Sequence, residues 1–155
     1  MVTLRNFNHA DAAVLQQSQN FDMSAKEIQD MIGNWNKFEF QGKYFEMFAI
    51  MNGGKIVGTI SLYQLSDSVI SIGPEIFSAF QNQGFGKEAM LIALDLAKSK
   101  GYRIVAQQVR ADNIPSIALH KRLGFETDRY GYINRKGKEV FLFFKALFET
   151  EEKSV

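Results

Sequence analysis

The stretch from Tyr44 to Tyr63 narrows the possible folds more than any other part of the chain. The period changes at Tyr44: the largely apolar run Phe45-Glu46-Met47-Phe48-Ala49-Ile50-Met51 is followed by Asn52-Gly53-Gly54 and then by a second run, Lys55-Ile56-Val57-Gly58-Thr59-Ile60-Ser61-Leu62-Tyr63. Two such apolar, β-branched and aromatic runs on either side of a glycine turn read as a β-hairpin. A third strand, Val69 to Phe77, is predicted across the polar turn Ser66-Asp67-Ser68. Pro74 lies inside it and has no amide to donate, so regular ladder pairing is expected to fail there, at an edge, bulge or splayed position.

Helical periodicity flanks this block. Val2 to Phe7 alternates like a short edge strand, and Asn8 reads as an N-cap for a helix through Gln17. Ser24 with Glu27 forms a capping box, and Ile28, Met31, Ile32 and Trp35 then recur at helical spacing toward Asn36. Gly84 to Ser99 carries Ala89, Met90, Ile92, Ala93, Leu96 and Ala97 on one stripe, with Gly101 as the stop. Arg103 to Val109 is a predicted strand and Asn113 to Leu123 a predicted helix. Phe125 to Tyr132 and Val140 to Leu147 are predicted to form a closing hairpin around Asn134-Arg135-Lys136-Gly137-Lys138. The order β-α-α-β-β-β-α-β-α-β-β describes an α/β fold with a mixed, mostly antiparallel central sheet flanked by helices. It is expected as a single domain over 1–148, followed by a polar tail, 149–155.

Composition limits the functions open to such a domain. A chain of 155 residues with 46% hydrophobic and 23% charged residues has the balance of a soluble globular protein. Lys plus Arg number 18 against 17 Asp plus Glu, so no broad positive field draws it to nucleic acid or anionic lipid. Cysteine is absent, which excludes disulfides, thiolate nucleophiles and Cys-based zinc sites. Together with the lack of a recognisable signal peptide this favours a cytoplasmic setting. No apolar run approaches the ~18 residues of a membrane span. No metal is expected.

Chemistry concentrates in Gln81-Asn82-Gln83-Gly84-Phe85-Gly86-Lys87, between a predicted strand and a predicted helix start. At such a junction unpaired backbone amides and the helix dipole favour an anion such as phosphate. Glycines at 84 and 86 permit positive φ and close backbone approach, and Lys87 adds a charge. A turn with a flexible entry would read the same way. A P-loop is excluded because no Gly-Lys-Ser/Thr follows four spacers, and a dinucleotide fingerprint because the third glycine is missing.

Gln81, Gly84 and Gly86 resemble the acetyl-CoA loop of the GNAT superfamily of N-acyltransferases, Gln/Arg-x-x-Gly-x-Gly/Ala. Asn113-Ile114-Pro115-Ser116-Ile117-Ala118-Leu119-His120-Lys121-Arg122-Leu123-Gly124-Phe125 resembles that family's Asn-x-x-Ser/Ala-x-x-Leu-Tyr-x-Lys-x-Gly-Phe segment. The order and spacing of the two agree, and the resemblance covers residues 2 to 147. It implies a GNAT-type sheet and an N-acetyltransferase that uses acetyl-CoA as co-substrate and acts on a primary amine of a small molecule or peptide.

By the same resemblance, Gln81, Asn82, Gln83, Gly84, Phe85, Gly86 and Lys87 surround the pyrophosphate of coenzyme A. Backbone at Ile76, Phe77 and Ser78 is expected to pair with the pantetheine arm. Asn113 and Ser116 are expected to contact coenzyme A, and each also reads as a helix cap. His120 stands where the family usually has a Tyr that protonates the departing thiolate; members of the phosphinothricin type also have His there. A His near neutral pKa suits proton transfer, and a packed, backbone-bonded His is the equally plain alternative. Glu75, the only acid near the end of the central strand, is the candidate base, or else an exposed strand carboxylate.

Phe21, Trp35, Phe38, Phe40 and Tyr44 fit core packing better than an acceptor pocket. Arg135-Lys136-Gly137-Lys138 reads as a solvated turn before it reads as an anion trap. A module that binds acetyl-CoA or coenzyme A without catalysis is the second functional reading, and an interaction domain without cofactor the third. The aromatic run Val140 to Phe144 is a candidate sheet edge for a homodimer.

Overall fold

A computed structural model of the chain describes residues 1–148; the expected polar tail, 149–155, lies outside the described residues. Its strands are β1 (Thr3–Asn6), β2 (Glu39–Phe40), β3 (Lys43–Asn52), β4 (Lys55–Gln64), β5 (Val69–Ile76), β6 (Ile104–Arg110), β7 (Glu126–Thr127), β8 (Tyr132–Ile133) and β9 (Glu139–Ala146). Its helices are α1 (Ala12–Ser18), α2 (Ala25–Trp35), α3 (Phe85–Ser99) and α4 (Ile114–Arg122). The sheet runs β1-β3-β4-β5-β6-β9-β7, with β2 beside β3 and β8 beside β9. Among the described residues only β5 and β6 pair in parallel, joined by the α3 crossover, so the sheet is mixed and mostly antiparallel.

Local chemistry accounts for the element ends. Asn8 caps a 3-10 turn, His9–Asp11, before α1 begins, because the Asp11 carboxylate is held by Arg5 through bonds of 2.8 and 3.0 Å and accepts the Asn8 amide at 2.9 Å. At α2 the Ser24 hydroxyl accepts the Glu27 amide and the Glu27 carboxylate accepts the Ser24 amide, both at 3.1 Å, the reciprocal box read from sequence. β3 and β4 join through Gly53 at φ +61°, and Val57 is the extra residue where their register slips.

α3 covers one sheet face. Ala89, Met90, Ala93, Leu94 and Ala97 point inward onto Ile60, Leu62, Ile70, Ile72, Val105 and Phe143, all buried. Small alanines let the helix sit close to the strands, and complete burial of Met90 contributes about 1.5–3 kcal/mol. α1 and α2 cover the opposite face with Leu15, Ile28 and Ile32 against Phe7, Ala49, Ile56 and Phe77. β5 is therefore two-faced: Ile70 and Ile72 meet α3, while Ser71, Gly73 and Glu75 face the α1/α2 side.

One expectation holds and one needs correcting. Regular pairing does fail around Pro74, on one side of β5: β5 and β6 pair only at Val69↔Ile104 and Ile70↔Val105, while on the other side Pro74 pairs with Ile60 in continuous register. The Ile72 amide points away from β4, so by alternation position 74 faces the same gap, where no strand asks for the amide that Pro lacks. The run Val140 to Phe144 is no free edge: β6 pairs along the whole of β9, and β7 and β8 cover parts of its other side. The closing segment is correspondingly broken into β7 and β8 rather than one strand.

Candidate active site

The gap left where the β5–β6 ladder stops is the central feature of the site. With 71, 73 and 75 turned to β4, the amides of 72 and 76 and the carbonyl edge of β5 look into the opening. Of the three residues expected to present backbone to a ligand, Ile76 alone keeps its amide there. Phe77 is a correction: its amide donates to the Val57 carbonyl at 3.0 Å, its carbonyl accepts the Phe80 amide at 2.8 Å, and its ring is buried in the second core. Ser78 has already turned into a 3-10 helix, Ser78–Phe80. The Ile76 carbonyl accepts Gln81 Nε2 at 3.1 Å, a bond that folds the following loop back onto the strand end.

That loop is shaped for an anion. Asn82 (φ +63°) and Gly84 (φ +83°), on either side of Gln83, both adopt the left-handed conformation. Such an alternation turns neighbouring amides to one side. Asn tolerates it because its short polar side chain makes left-handed backbone accessible; at 84 only glycine avoids the penalty. Gly84 is the N-cap of α3 and offers no side-chain acceptor, so the first-turn amides of a 15-residue helix stay available, with the positive end of its dipole behind them. Gln81, Asn82, Gln83 and Lys87 are exposed around this entry, while Phe85 packs into the core and contributes only its backbone. Gly86 departs from expectation: its φ is not positive, and a Cβ there would meet Ile76 and Leu119 at ordinary distances of 3.6 and 3.8 Å. Its use is close helix–strand approach, not a special dihedral.

Across the gap stands the start of α4. Asn113 caps it, Oδ1 accepting the Ser116 amide at 3.2 Å, and its side chain is exposed, leaving Nδ2 free for a ligand. Capping and binding are thus compatible. Ser116 is half-buried, its hydroxyl 3.4 Å from His120 Nδ1.

His120 occupies a different place from the one expected of a proton donor. It is 2% exposed, walled by the rings of Phe125 and Phe143 with centroids at 4.9 and 5.4 Å. Nδ1 donates to the Ser116 carbonyl at 2.7 Å, and Nε2 bonds the carboxamide nitrogen of Gln107. Burial drives its pKa below the ordinary imidazole range, with the Ser116 carbonyl opposing in part, so the ring is neutral near pH 7. Both nitrogens are taken by the protein, which leaves no proton directed at the gap.

Gln107 is the residue that sequence reading passed over. In β6 it is in phase with buried Val105 and Val109, and a polar residue on the buried face of a strand is the signal that could have found it. Its Oε1 accepts the Ile72 amide at 2.7 Å.

Glu75 is exposed and faces the α1/α2 side. On that side a cavity of about 500 Å³ is lined by Met23, Glu27, Asp30, Met31, Asn34, Trp35, Glu39, Phe40 and Phe45. A smaller one of about 280 Å³, between Phe40, Phe45, Ser61, Tyr63, Ser71 and Gly73, shares two of those walls and reaches β5. Trp35 packs on the second core against Phe7, ring centroids 5.3 Å apart, and also lines the larger cavity; Phe40 is 53% exposed and lines both cavities, Phe21 is 70% and Phe38 43% exposed, and Tyr44 packs on the opposite core. At the basic tip Asn134 Oδ1 accepts the amides of Lys136 and Lys138, both at 3.0 Å, as a turn requires.

Comparison with known proteins bears on the family and the fold. The model of the acetyltransferase (GNAT) family matches residues 12–125. The chain is 27% identical over 124 residues to the SPbeta prophage-derived uncharacterized N-acetyltransferase YokL of Bacillus subtilis (strain 168), spanning 77% of this chain and 68% of that protein. Its fold is similar to that of a probable acetyltransferase of known crystal structure, with a TM-score of 0.81 at 20% identity over 94% and 92% of the two chains. It is also similar to that of spermidine N-acetyltransferase from Vibrio cholerae in complex with CoA and spermine, with a TM-score of 0.75 at 16% identity over 94% and 95%. Since the family match runs from α1 through the end of the α4–β7 connection, the chain belongs to the GNAT family of acetyltransferases, enzymes that use acetyl-CoA.

Proposed function

We propose that this acetyltransferase joins the acetyl group of acetyl-CoA to the primary amine of a small, cationic molecule, with both substrates bound together. The observation that carries the reading is the meeting, at the end of β5, of an open strand edge with an uncapped helix entry at left-handed Gly84. The donor's phosphates fit the loop amides of Gln83 to Lys87, and its acyl arm fits the gap, with Ile76 on one side and Asn113 on the other.

The amine approaches from the face that carries Glu75. There the carboxylates of Glu27, Asp30 and Glu39 favour a positive charge, and Trp35, Phe40 and Phe45 suit its aliphatic or cationic body. The spermidine N-acetyltransferase of similar fold is consistent with a polyamine-like acceptor. A peptide amine is the alternative acceptor.

Glu75, directly or through water, takes a proton from the incoming ammonium. The amine lone pair attacks the thioester carbonyl carbon, a C–N bond forms, the nitrogen gives up its second proton to solvent, and the C–S bond breaks with its electron pair leaving on sulfur. A backbone amide of β5 polarises the carbonyl oxygen. Since an ordinary thiol has a pKa of about 8.5, the thiolate leaves readily and takes its proton from solvent. No donor from the protein is required at that step.

Release of coenzyme A thiol from acetyl-CoA, measured against polyamines, amino acids, aminoglycosides and N-terminal peptides, tests the reading. Turnover with polyamines is expected, and Glu75→Gln should lower kcat by about 10²–10⁴-fold with unchanged acetyl-CoA affinity. Turnover with peptides alone would replace the acceptor. Binding of acetyl-CoA without turnover across the panel would leave a binding module.

A further inference from the structure

We infer that Gln107 and His120 form a buried strut that sets the width of the β5–β6 gap, and so act as positioning residues for the acyl donor. The inference rests on the reading of that gap as the donor slot. Its basis is a hydrogen-bond chain that runs across the gap's closed end in one direction.

Beyond Ile70 the β5–β6 ladder stops, yet the next inward amide, Ile72, is not left empty: it donates to Gln107 Oε1 at 2.7 Å. A side chain thus replaces a backbone carbonyl and holds the two strands farther apart than the ~4.8 Å of a regular ladder. A carboxamide whose oxygen faces an N–H must turn its NH₂ elsewhere, and the Gln107 NH₂ meets His120 Nε2. That nitrogen must then carry a lone pair, which puts the ring proton on Nδ1, where it donates to the Ser116 carbonyl at 2.7 Å. The Ser116 amide in turn donates to Asn113 Oδ1. Every orientation is determined: flipping the Gln107 amide would set NH₂ against the Ile72 N–H, and moving the ring proton would set N–H against NH₂.

Gln107 is 6% and His120 2% exposed, and Phe125 and Phe143 close the space around the ring, so water does not substitute for either partner. The strand that presents Ile76 and the helix start that presents Asn113 are tied together at a fixed distance. Among the described residues no buried side-chain polar atom lacks a partner, so the strut is complete before any ligand arrives.

Kinetics on the full chain separate this role from proton donation. Gln107→Leu and His120→Phe should each raise KM for acetyl-CoA by about 10- to 100-fold, with the amine KM changed less than about twofold. The double variant should be no worse than the poorer single, because both cut one chain. Gln107→Glu keeps an acceptor for the Ile72 amide and should recover the donor KM in step with protonation of the ring on both nitrogens, Nε2–H donating to the carboxylate and Nδ1–H to the Ser116 carbonyl. The shape of the pH–kcat profile should survive in His120→Phe. A fall in kcat at constant donor KM with loss of the alkaline limb would make His120 the acid and overturn the strut, as would reduced melting temperature with unchanged KM. The ring itself gives a readout that needs no substrate or variant: ¹⁵N shifts of His120 in the ligand-free protein should report Nδ1 protonated. An Nε2-protonated ring would overturn the strut even if acetyl-CoA proved not to be the donor.

Discussion

Gly84 is the position where one atom most directly tests the donor site. Its φ of +83° and ψ of 3° are left-handed, and an added Cβ finds nothing within 4 Å. Gly84→Ala therefore meets no clash, and its whole cost is the dihedral, about 1–2 kcal/mol. If the loop relaxes to relieve that strain, the amides lose their convergence and acetyl-CoA affinity falls by about 5- to 30-fold. Gly84→Asp adds a charge: a carboxylate about 5 Å from a phosphate, at an effective dielectric of about 20, costs about 3 kcal/mol more. The combined loss is about 10³-fold or greater. Gly86→Ala is the comparison, since its φ is ordinary and its Cβ would sit at 3.6 Å from Ile76; its effect on affinity should be smaller than that of Gly84→Ala. Isothermal calorimetry with acetyl-CoA reads all three, and thermal melts verify folding. Unchanged affinity in folded Gly84→Asp, or equal losses in the two alanine variants, refutes the assignment of the loop.

Gly58→Ala tests the geometry of the other face: a Cβ there would overlap the Glu75 carbonyl oxygen and stand 3.0 Å from the Ile76 Cα, both backbone atoms that cannot rotate away. Urea unfolding should show a loss of about 1–3 kcal/mol, and kcat should fall because the Glu75–Ile76 peptide must shift; a neutral effect on both would show β5 to be softer than its ladder implies. Arg5→Met removes the two-point contact to Asp11, and chemical denaturation at pH 7 should register about 1–2 kcal/mol, moderated because the Arg5 side chain is 39% exposed. The hydrogen bonds from Arg5 hold the Asp11 carboxyl below its ordinary value of 3.8, so this stability is complete above that pH and disappears as pH falls through the lower folded value. Arg5→Met should accordingly flatten the acid limb of the stability curve, and an unchanged limb would assign it to other carboxylates.

Much of the fold was legible because it is encoded locally. The β3–β4 hairpin, the Ser24–Glu27 box, the amphipathic stripe of α3 and the Asn113 cap depend on contacts within a few residues, and each appears where periodicity and capping put it. The loop from Gln81 to Gly84 was legible for the same reason, since a positive φ and a helix entry are local properties. Gly86 was misread because a second glycine in a loop motif looks like a dihedral requirement, when its neighbours Ile76 and Leu119 come from other elements.

The sequence by itself determined the order of elements, the phosphate-suited loop and the family. Tertiary structure alone decided where strand pairing stops, because the end of the β5–β6 ladder depends on two strands separated by a whole helix. It likewise decided that Val140 to Phe144 is covered and that Trp35 and Phe40 line a cavity. His120 shows the reason most plainly. One residue type at one position admitted both an acid and a packed ring, and the difference lay in Gln107, thirteen residues away along the chain and in hydrogen-bond contact only after folding.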